Sequence, residues 1–492
     1  MKENKKIKHL SGFGCWITKT LPLILVMTAI VLFFSGCSMV GPDYTPPALQ
    51  APEKWHTEIQ KGLNGESIPP EVLSHWWTVL GDPLLWNLEE RAVQHNLSLK
   101  EAMARVREAR ALRGISKAEL FPSLDASGSV TKSRSSINNN GDKESELYSV
   151  GFDAGWELDI FGGKRRAVQA AQADLEASQA NLHDVLVSLL AEVGLNYIDV
   201  RTYQTRLAVT EENILAQQRT YELNQSRFQA GLIDELNVQQ SLYNLEHARS
   251  QIPVLQKGLA AAKNRLAVLL GENPGILDDE LTERKPIPVP PLSVAVGIPA
   301  DTLRHRPDVR QAERNLAAQT ARIGVAKADL YPKFQLLGSI GLESLASKNL
   351  FEWASRTWSI GPHVSWNIFD AGAIRQNIKV QTARQEQALI QYESAILNAL
   401  EEVENALMDY VKEQQHRDSL SKATTAAKRA ESLARDRYKA GLVDFSNVLD
   451  AQRSLLTFQD ELAQSEGAVT ADLMRLYKSF GGGWESMAVE AE

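Results

Sequence analysis

The feature that most constrains the fold of this 492-residue chain is an internal repeat. Residues Arg227–Asp234 are echoed by residues Arg437–Asp444, and the shift is 437 − 227 = 210 residues. Other landmarks recur at the same shift: Phe121-Pro122 with Tyr331-Pro332, Trp156 with Trp366, Asn237-Val238 with Asn447-Val448, and Gly271 with Gly481. Because each copy of a repeat forms the same supersecondary unit, the sequence predicts one unit written twice, although its length alone would suggest about three domains.

Each half predicts the same order of elements. A helix of about 24 residues stops at the Phe-Pro or Tyr-Pro pair, because proline removes a backbone donor and disfavours helix in the residue before it. Two short alternating segments follow, and then a long helix at 164–229 and at 371–438, rich in good helix formers and ended by glycine. A return helix is predicted at 234–270 and at 444–480. At 1.5 Å per residue the long helix would span roughly 100 Å, which indicates a rod or tunnel and not a globule.

The short alternating segments have the pattern of membrane-spanning strands. They are predicted at about 123–132, 147–157, 333–343 and 357–367, with apolar or aromatic residues at every second position. This pattern suits a transmembrane β-barrel, and amphipathic hairpins packed on soluble helices are the alternative. Four strands cannot close a barrel, and open edges are not tolerated in lipid, so chains must associate. Two chains would supply eight strands and three would supply twelve, and the pattern leaves both open.

An export signal precedes the repeat. Several lysines are followed by the apolar run Leu21–Phe34, which fits the core of a signal peptide better than a membrane span. The run ends in Ser35-Gly36-Cys37, the pattern of a bacterial lipobox, so residues 1–36 are predicted to be removed and Cys37 to carry a lipid. An ordinary cleavage site beside an incidental cysteine is the alternative. Because Ser38 is not aspartate, the inner-membrane retention signal is missing and the outer membrane is the expected location.

Charge and motifs exclude several classes of protein. The net charge is −8 for the whole chain and, without the net +4 of residues 1–36, −8 − 4 = −12 for the mature one, so no nucleic-acid partner is predicted. Gly162-Gly163-Lys164 lacks the rest of a phosphate-binding loop, and the histidines lack metal-ligand spacing. We therefore predict no enzyme activity, no cofactor and no metal. The carboxylates of Glu401, Glu402 and Glu404 are interpreted as a solvated helix face.

Taken together, several motifs resemble the outer-membrane factors, the TolC-like exit ducts of bacterial efflux pumps, in their NodT/OprM-like lipoprotein subgroup. The motifs are Cys37–Tyr44, Trp76-Trp77, Gly81–Leu84, Ala102–Val106, the two Ala-Gly-Leu-x-Asp turns, and Leu449–Ser454. The resemblance covers essentially the whole mature chain. It implies an α+β membrane protein with two internal structural repeats. Three chains would form a trimeric transmembrane β-barrel, with four strands per chain, continued by a long periplasmic α-helical barrel.

The export signal and the repeat, with the equatorial segments that the resemblance implies, divide the chain into domains. The predicted segments are a signal peptide at 1–36, a lipid-anchored and equatorial segment at 37–80, repeat 1 at 81–271, an equatorial linker at 272–305, repeat 2 at 306–481 and a C-terminal tail at 482–492.

The resemblance also implies a function and its partners. The expected function is passive export of small molecules through an outer-membrane duct that carries out no chemistry. The expected partners are two further copies of the chain, a periplasmic adaptor (membrane fusion) protein, an inner-membrane pump of the resistance-nodulation-division type, and outer-membrane lipid. One alternative is the exit duct of a type I protein secretion system. A periplasmic coiled-coil scaffold is another, but it would explain the long helices and not the strands.

Two sets of residues are predicted to carry this function. The adaptor is expected to contact the two glycine turns, at Gly231, Leu232, Asp234, Gly441, Leu442 and Asp444. A closed gate is expected nearby, made by Asp450 with Arg453, Tyr438 and Arg437. The plainer interpretations are helix C-caps at the glycines and an i,i+3 surface ion pair between Asp450 and Arg453.

Overall fold

The computed structural model describes residues 39–48, 51–59, 62–66, 68–136, 144–289 and 294–485. The predicted signal peptide and Cys37 lie outside these residues, as does the end of the predicted tail. The chain divides into two compact units, and each unit takes residues from both halves of the repeat. Unit 1 comprises Met1–Pro46, Ala109–Leu175 and Arg314–Leu389, and unit 2 comprises Pro47–Glu108, Glu176–Glu313 and Ile390–Glu492.

Helices dominate the described residues. In chain order they are α1 (Pro70–Ser74), α2 (Pro83–His95), α3 (Leu97–Ala118), α4 (Gly163–Gln229), α5 (Glu235–Leu269), α6 (Pro299–His305), α7 (Pro307–Ala328), α8 (Ala373–Lys439) and α9 (Phe445–Ser479). Short 3-10 turns occur at Trp76–Leu80, Ser347–Asn349 and Trp353–Ser355. Among the helices of the described ranges, none is long and apolar enough to cross a membrane.

The strands form two sheets. In chain order they are β1 (Leu63–Asn64), β2 (Ser123–Arg134), β3 (Glu144–Leu158), β4 (Val294–Ala295), β5 (Lys333–Ser344) and β6 (Arg356–Ser365). The larger sheet lies in unit 1, has the order β2-β3-β5-β6 and is antiparallel throughout. In unit 2, β1 pairs in parallel with β4. β6 ends at Ser365, two residues before the predicted end, because the next position would lie opposite Pro332, which has no N–H to donate.

Elements of the two halves share their bounds after a shift of 210 residues. This holds for α3 and α7, β2 and β5, α4 and α8, and α5 and α9. The tryptophans at the strand ends make the same bond: Trp156 Nε1 donates to the Leu120 carbonyl at 2.9 Å, and Trp366 Nε1 donates to the Leu330 carbonyl at 3.1 Å. Equivalent sequence positions therefore occupy equivalent places in the two hairpins of the larger sheet.

Aspartate caps begin the two longest helices. Asp159 accepts hydrogen bonds from the backbone N–H groups of Lys164 at 3.0 Å and Arg165 at 2.9 Å. Asp370 accepts from Gly372 at 2.8 Å and Ile374 at 2.7 Å, and these bonds lower the pKa of its carboxyl. Each cap satisfies donors that the first helical turn leaves unpaired. α8 begins two residues later than predicted because Gly372 has a φ of 89°, outside the helical region.

Within unit 1, a buried arginine binds the described N-terminal segment. Arg166 donates to the carbonyls of Val40 at 3.1 Å and Gly41 at 3.2 Å, and to the Asp43 carboxylate at 2.8 Å. Gly41, at a φ of 96°, allows a close approach, because a Cβ there would lie 2.5 Å from the Gly324 Cα. Val40, Gly41 and Asp43 are thereby held on α4.

In unit 2, each half holds the end of its return helix by a hydrogen bond from a different residue. In the first half, Asn96 Nδ2 donates to the Leu269 carbonyl at 2.9 Å. In the second, Arg306 Nη1 donates to the Ser479 carbonyl at 2.7 Å, and 306 − 96 and 479 − 269 both equal 210. Arg306 is nearly fully buried and also bonds the Asp308 carboxylate. The two halves thus fasten the end of a return helix with unrelated residues.

The acidic run on α8 corrects one prediction. Glu402 accepts a 2.6 Å bond from Arg306 Nη2. Glu404 accepts from the backbone N–H of His56 at 2.6 Å and from Thr57, whose N–H and hydroxyl lie 3.0 and 2.7 Å away. The solvated-face interpretation is therefore wrong for both carboxylates, because each neutralises or satisfies groups brought in from distant parts of the chain.

Candidate gate and docking turns

Two glycine turns connect the long helices to their return helices. Gly231 has a φ of 71°, its N–H bonds the Phe228 carbonyl at 2.9 Å, and the Leu232 N–H bonds the Arg227 carbonyl at 2.9 Å. The second turn repeats this arrangement with Gly441, at a φ of 73°. This is a Schellman motif, in which only glycine adopts the left-handed position without strain. The plain capping role is therefore real, and it leaves the leucines outside the helix.

Both turns present an apolar side chain to solvent. Leu232 is 72% exposed and Leu442 is 73% exposed. The flanking aspartates differ, since the Asp234 carboxylate accepts a 3.4 Å bond from the Asn237 N–H, whereas Asp444 makes no side-chain cap. At each turn, a partner protein could therefore reach both an exposed leucine side chain and the backbone of the neighbouring glycine.

The second turn is held by an aromatic pair. The rings of Tyr438 and Phe445 lie 5.3 Å apart, and Phe445 is buried against Val448 and Leu449. The first half has Phe228 and Glu235 at the positions of this pair, and both are exposed. The hairpin of α8 and α9 is therefore packed more tightly at its turn than the hairpin of α4 and α5.

Tyr438 joins the two hairpins. Its Oη donates to the Oδ1 of Asn224 at 3.3 Å, and the Arg227 guanidinium lies 4.9 Å from the centre of its ring. The Asn224 side chain is fully buried. Of the predicted gate residues, Tyr438 is thus held against the first hairpin by a polar and a cation–π contact.

Arg453 also contacts the first hairpin. Its Nη2 donates to Asn244 Oδ1 at 3.2 Å and to Tyr243 Oη at 3.4 Å. The predicted alternative, a surface ion pair between Arg453 and Asp450, is absent within the described ranges, because the guanidinium turns toward α5 instead. Asp450 is exposed and makes no ion pair with a described residue.

Arg437 is exposed, and its carbonyl accepts a 2.9 Å bond from the Leu442 N–H. The chain therefore brings Tyr438 and Arg453 against α4 and α5, and it leaves Asp450 and Arg437 exposed. The sequence-based prediction missed the partners Asn224 and Tyr243. One signal could have revealed Tyr243, because it occupies the position of Arg453 in the first half.

Further polar contacts join α4 to α9. Arg206 binds the Asp460 carboxylate through two bonds of 2.7 and 3.0 Å. Asn213 Nδ2 donates to Gln459 Oε1 at 3.1 Å. Partly exposed contacts of this kind are individually weak. Within the described ranges, no group of three His, Cys, Asp or Glu side chains is placed to hold a metal ion.

Comparison with known proteins identifies the family. The family model described as outer membrane efflux protein matches residues 88–272 and 298–482, most of the chain, and the two matched segments again differ by 210 residues. The chain belongs to the outer membrane efflux protein family. The predicted family and outer-membrane location of this efflux protein are confirmed.

Individual relatives of this efflux protein cover nearly its full length. Nodulation protein T of Rhizobium leguminosarum bv. trifolii is 33% identical over 439 residues, 88% of this chain and 92% of that protein. Toluene efflux pump outer membrane protein TtgI of Pseudomonas putida is 32% identical over 471 residues, 95% of this chain and 98% of that protein. Among solved structures, the outer-membrane channel OprN superposes with a TM-score of 0.85 at 36% identity, covering 91% of this chain and 99% of that one.

Proposed function

We propose that this efflux protein is the outer-membrane exit duct of a tripartite pump, through which small molecules leave the cell passively. The observation that carries the proposal is the larger sheet, which has one apolar face and one polar face. The membership of the chain in this family adds to it. Relatives named for toluene efflux and solvent efflux support small molecules as the cargo. A periplasmic adaptor and an inner-membrane pump of the resistance-nodulation-division type complete the assembly.

The polar face of the larger sheet suits the lining of a water-filled channel. Hydroxyl pairs cross it, with Ser129 and Ser149 2.8 Å apart and Ser339 and Ser359 2.8 Å apart. Ser127 donates to the Asp153 carboxylate at 3.0 Å. The two serine pairs lie directly opposite in the strand register, whereas Ser127 and Asp153 are diagonal neighbours, since Ser127 lies opposite Gly151. Short hydroxyl side chains keep such a face wet and leave room for a solute.

The opposite face of the sheet suits contact with lipid. Phe152 is 53% exposed, Ile340 is 64% exposed and Trp358 is 75% exposed, although all three are large and apolar. Alternating strands with an outward apolar band are the pattern of outer-membrane barrels. The two faces together support a sheet that separates lipid from water.

Self-association is required because the outer strands of the sheet each have one partner. β2 pairs only with β3 and β6 only with β5 among the described strands, so two rows of backbone groups remain open. Lipid does not tolerate such edges. An eight-stranded barrel is just wide enough for its own side chains, whereas twelve strands leave a channel. A duct therefore requires three copies, and exposed Leu112 and Leu397 on α3 and α8 support helix contacts between them.

A lipid on Cys37 would enter the membrane beside the sheet. The Val40 N–H bonds the Phe161 carbonyl at 3.0 Å, and Phe161 follows the end of β3 by three residues, 161 − 158. With Arg166 holding the same segment, Val40 to Asp43 lie close to where the strands end. The anchor then adds to the hold that the barrel already has on the membrane.

The two helical turns and the residues around Tyr438 are proposed as docking surface and gate. The adaptor binds the exposed side chains of Leu232 and Leu442, and Asp234 and Asp444 lie beside them. The closed gate is the arrangement in which Tyr438 and Arg453 hold the second hairpin against the first, with Arg437 at the same end. Three copies of Asp450 then surround the axis.

Deletion of the gene tests the proposal. Cells that lack the protein should retain more of a dye such as ethidium when adaptor and pump are present, and plasmid-borne protein should restore efflux. Restoration by a variant that no longer assembles would contradict a role as the duct.

A further inference from the structure

Unit 2 contains a cavity of about 270 Å³ that plays no part in the proposed export. Its lining is largely apolar and includes Ile68, Leu73, Ile298 and Phe480. Leu73 and Phe480 are buried, whereas Ile298 is 48% exposed, so the cavity has a buried floor and an open rim. An apolar cavity of roughly 150 Å³ is known to take up benzene. The space is therefore large enough for one aromatic ring with a short side chain.

The walls of the cavity are held by contacts within unit 2. The parallel pair β1-β4 continues beyond its last residues in a bond from the Gly297 N–H to the Glu66 carbonyl at 2.9 Å, next to the lining residues Ile68 and Ile298. Gly482 packs tightly against Leu73, because a Cβ at Gly482 would lie 2.9 Å from Leu73 Cδ1. A cavity with fixed walls is pre-formed, so a ligand that enters it does not have to order the protein first.

The rim of the cavity carries two carboxylates with different partners. Asp301, His305 and Glu485 all line the rim and are exposed. Asp301 Oδ1 lies 3.4 Å from Arg304 Nη1 of the same helix, whereas Glu485 Oε1 lies 3.9 Å from His305 Nδ1, beyond hydrogen-bond distance. The Glu485 carboxylate can therefore accept hydrogen bonds from a ligand at the rim.

The residue before Glu485 fixes its place beside the cavity. The Trp484 ring stacks on the His183 ring, with ring centres 4.6 Å apart, and the Arg310 guanidinium lies 5.5 Å from the centre of the Trp484 ring. Stacking and cation–π contacts of this kind hold an aromatic side chain in one orientation. Trp484 is thereby bound to α4 and α7, and the carboxylate that follows it stays at the rim.

We propose that this cavity binds a small arylalkylamine, a molecule with one aromatic ring and a protonated primary amine. The ring lies among Leu73, Ile298 and Phe480, and the ammonium group donates to Glu485. Burial of the ring removes apolar surface from water, and the carboxylate stabilises the positive charge that stays at the rim. A neutral alcohol of the same shape keeps only the first of these contributions, and an arylalkyl carboxylate is repelled by Glu485.

Fluorine NMR of para-fluorophenethylamine with the full chain in detergent tests the site, because the ligand signal broadens on binding. After subtraction of a detergent blank, we expect saturable binding with a dissociation constant of about 1 mM or below, as for other ligands of about ten non-hydrogen atoms. The matched alcohol, para-fluorophenylethanol, should bind about threefold to tenfold more weakly, and para-fluorophenylacetate more weakly again. Equal affinities for the three probes, or no saturable binding of the amine, would overturn the proposal.

Two substitutions test whether the amine occupies this cavity. Ile298→Trp fills the space with an indole ring and should abolish saturable binding of the amine and the alcohol alike. Glu485→Gln should lower the affinity for the amine to that of the alcohol and leave the alcohol unchanged. Ile276→Trp and Glu283→Gln are the matched controls, because these exposed residues of unit 2 do not line the cavity, and both should bind as the wild type does. Binding that survives both Ile298→Trp and Glu485→Gln places the amine elsewhere and overturns the site.

Two further samples distinguish other occupants of the cavity. Binding by a chain that ends at Glu485, without binding by the full chain, would assign the cavity to residues 486–492. Binding by the monomer, without binding by the assembled protein, would assign it to a neighbouring copy, and either result overturns the ligand site. Thermal melts check that each variant is folded. If Ile298→Trp does not fold, the comparison of amine and alcohol in Glu485→Gln decides alone. Failure of the site leaves the proposed duct untouched.

Discussion

Arg453 donates a 3.4 Å hydrogen bond to the Oη of Tyr243, the residue that occupies the position of Arg453 in the first half of the chain. Two equivalent positions of the repeat are thus in contact across the two hairpins. In a pair of identical halves both would carry the same side chain, and two arginines there would repel each other. In the proposed gate, this pairing of a donor with an acceptor holds the hairpins together, and single substitutions can remove it.

Arg453→Ala should favour the open duct. The variant loses the hydrogen bonds to Tyr243 and Asn244. Each bond is worth about 1 kcal/mol, which is about fivefold in the ratio of closed to open channels. Single-channel recording should show a higher open fraction. Arg435→Ala is the matched control, because Arg435 is exposed on α8 and its ion pair among the described residues is with Glu431 of the same helix, at 3.6 Å. Equal open fractions in the two variants would contradict the role of Arg453.

Asp450→Ala should weaken the preference of the channel for cations. Three carboxylates around the axis of the proposed trimer would attract cations by about 1 kcal/mol each at contact distance in water-like surroundings. The reversal potential in a potassium chloride gradient should therefore move toward zero. Asp436→Ala removes an exposed carboxylate of the preceding helix as a control. An unchanged potential for Asp450→Ala would remove this residue from the permeation path.

Leu442→Ser should weaken binding of the adaptor without changing the channel. Burial of a leucine side chain contributes about 1.5–3 kcal/mol, so affinity should fall about tenfold or more. Pull-down with the purified adaptor measures the loss, and conductance of the same preparation should stay at the wild-type value. Leu433→Ser serves as control, since Leu433 is also exposed but lies away from the turn. A comparable loss in both variants would argue against specific docking at the turns.

Glu89→Gln should stabilise the protein more at pH 8 than at pH 5. Glu89 is fully buried in α2, neither carboxylate oxygen has a partner among the described residues, and burial raises the pKa of this carboxyl well above its ordinary value. The folded state therefore binds a proton that the unfolded state releases, so the wild type loses stability as pH rises above the ordinary glutamate range. Thermal melts at both pH values check this, with exposed Glu90→Gln as control. A pH-independent difference from wild type would contradict it.

Cys37→Ala should abolish lipid labelling and leave assembly largely intact. The proposed barrel should by itself hold the protein in the membrane, so the anchor would be an addition. Metabolic labelling with a palmitate analogue and the native mass in detergent measure the two effects, and deletion of β6 provides the comparison. An unmodified mature N-terminus in the wild type, detected by mass spectrometry, would end the prediction.

Short sequence patterns predict much of the fold, but they do not predict the contacts between elements that are distant in the sequence. Pro122 and Gly231 end helices through their own backbone chemistry, so the helix ends and turns can be predicted from the sequence. The partners of Glu404 and Arg453 depend on how distant segments meet, and Thr57 lies 347 residues from Glu404. An acidic helix face that is satisfied by such a segment has the same sequence pattern as a solvated one. The gate contacts were missed for the same reason.

Electrical recording of the purified wild-type trimer in a planar lipid bilayer tests the central claim most directly. A duct that opens by exchange of the contacts of Arg453 and Tyr438 should show discrete conductance steps, with an open fraction that rises in Arg453→Ala. Well-folded trimers that insert into the bilayer and pass no current, in the wild type and in Arg453→Ala alike, would contradict an exit duct and leave the long helices as a scaffold.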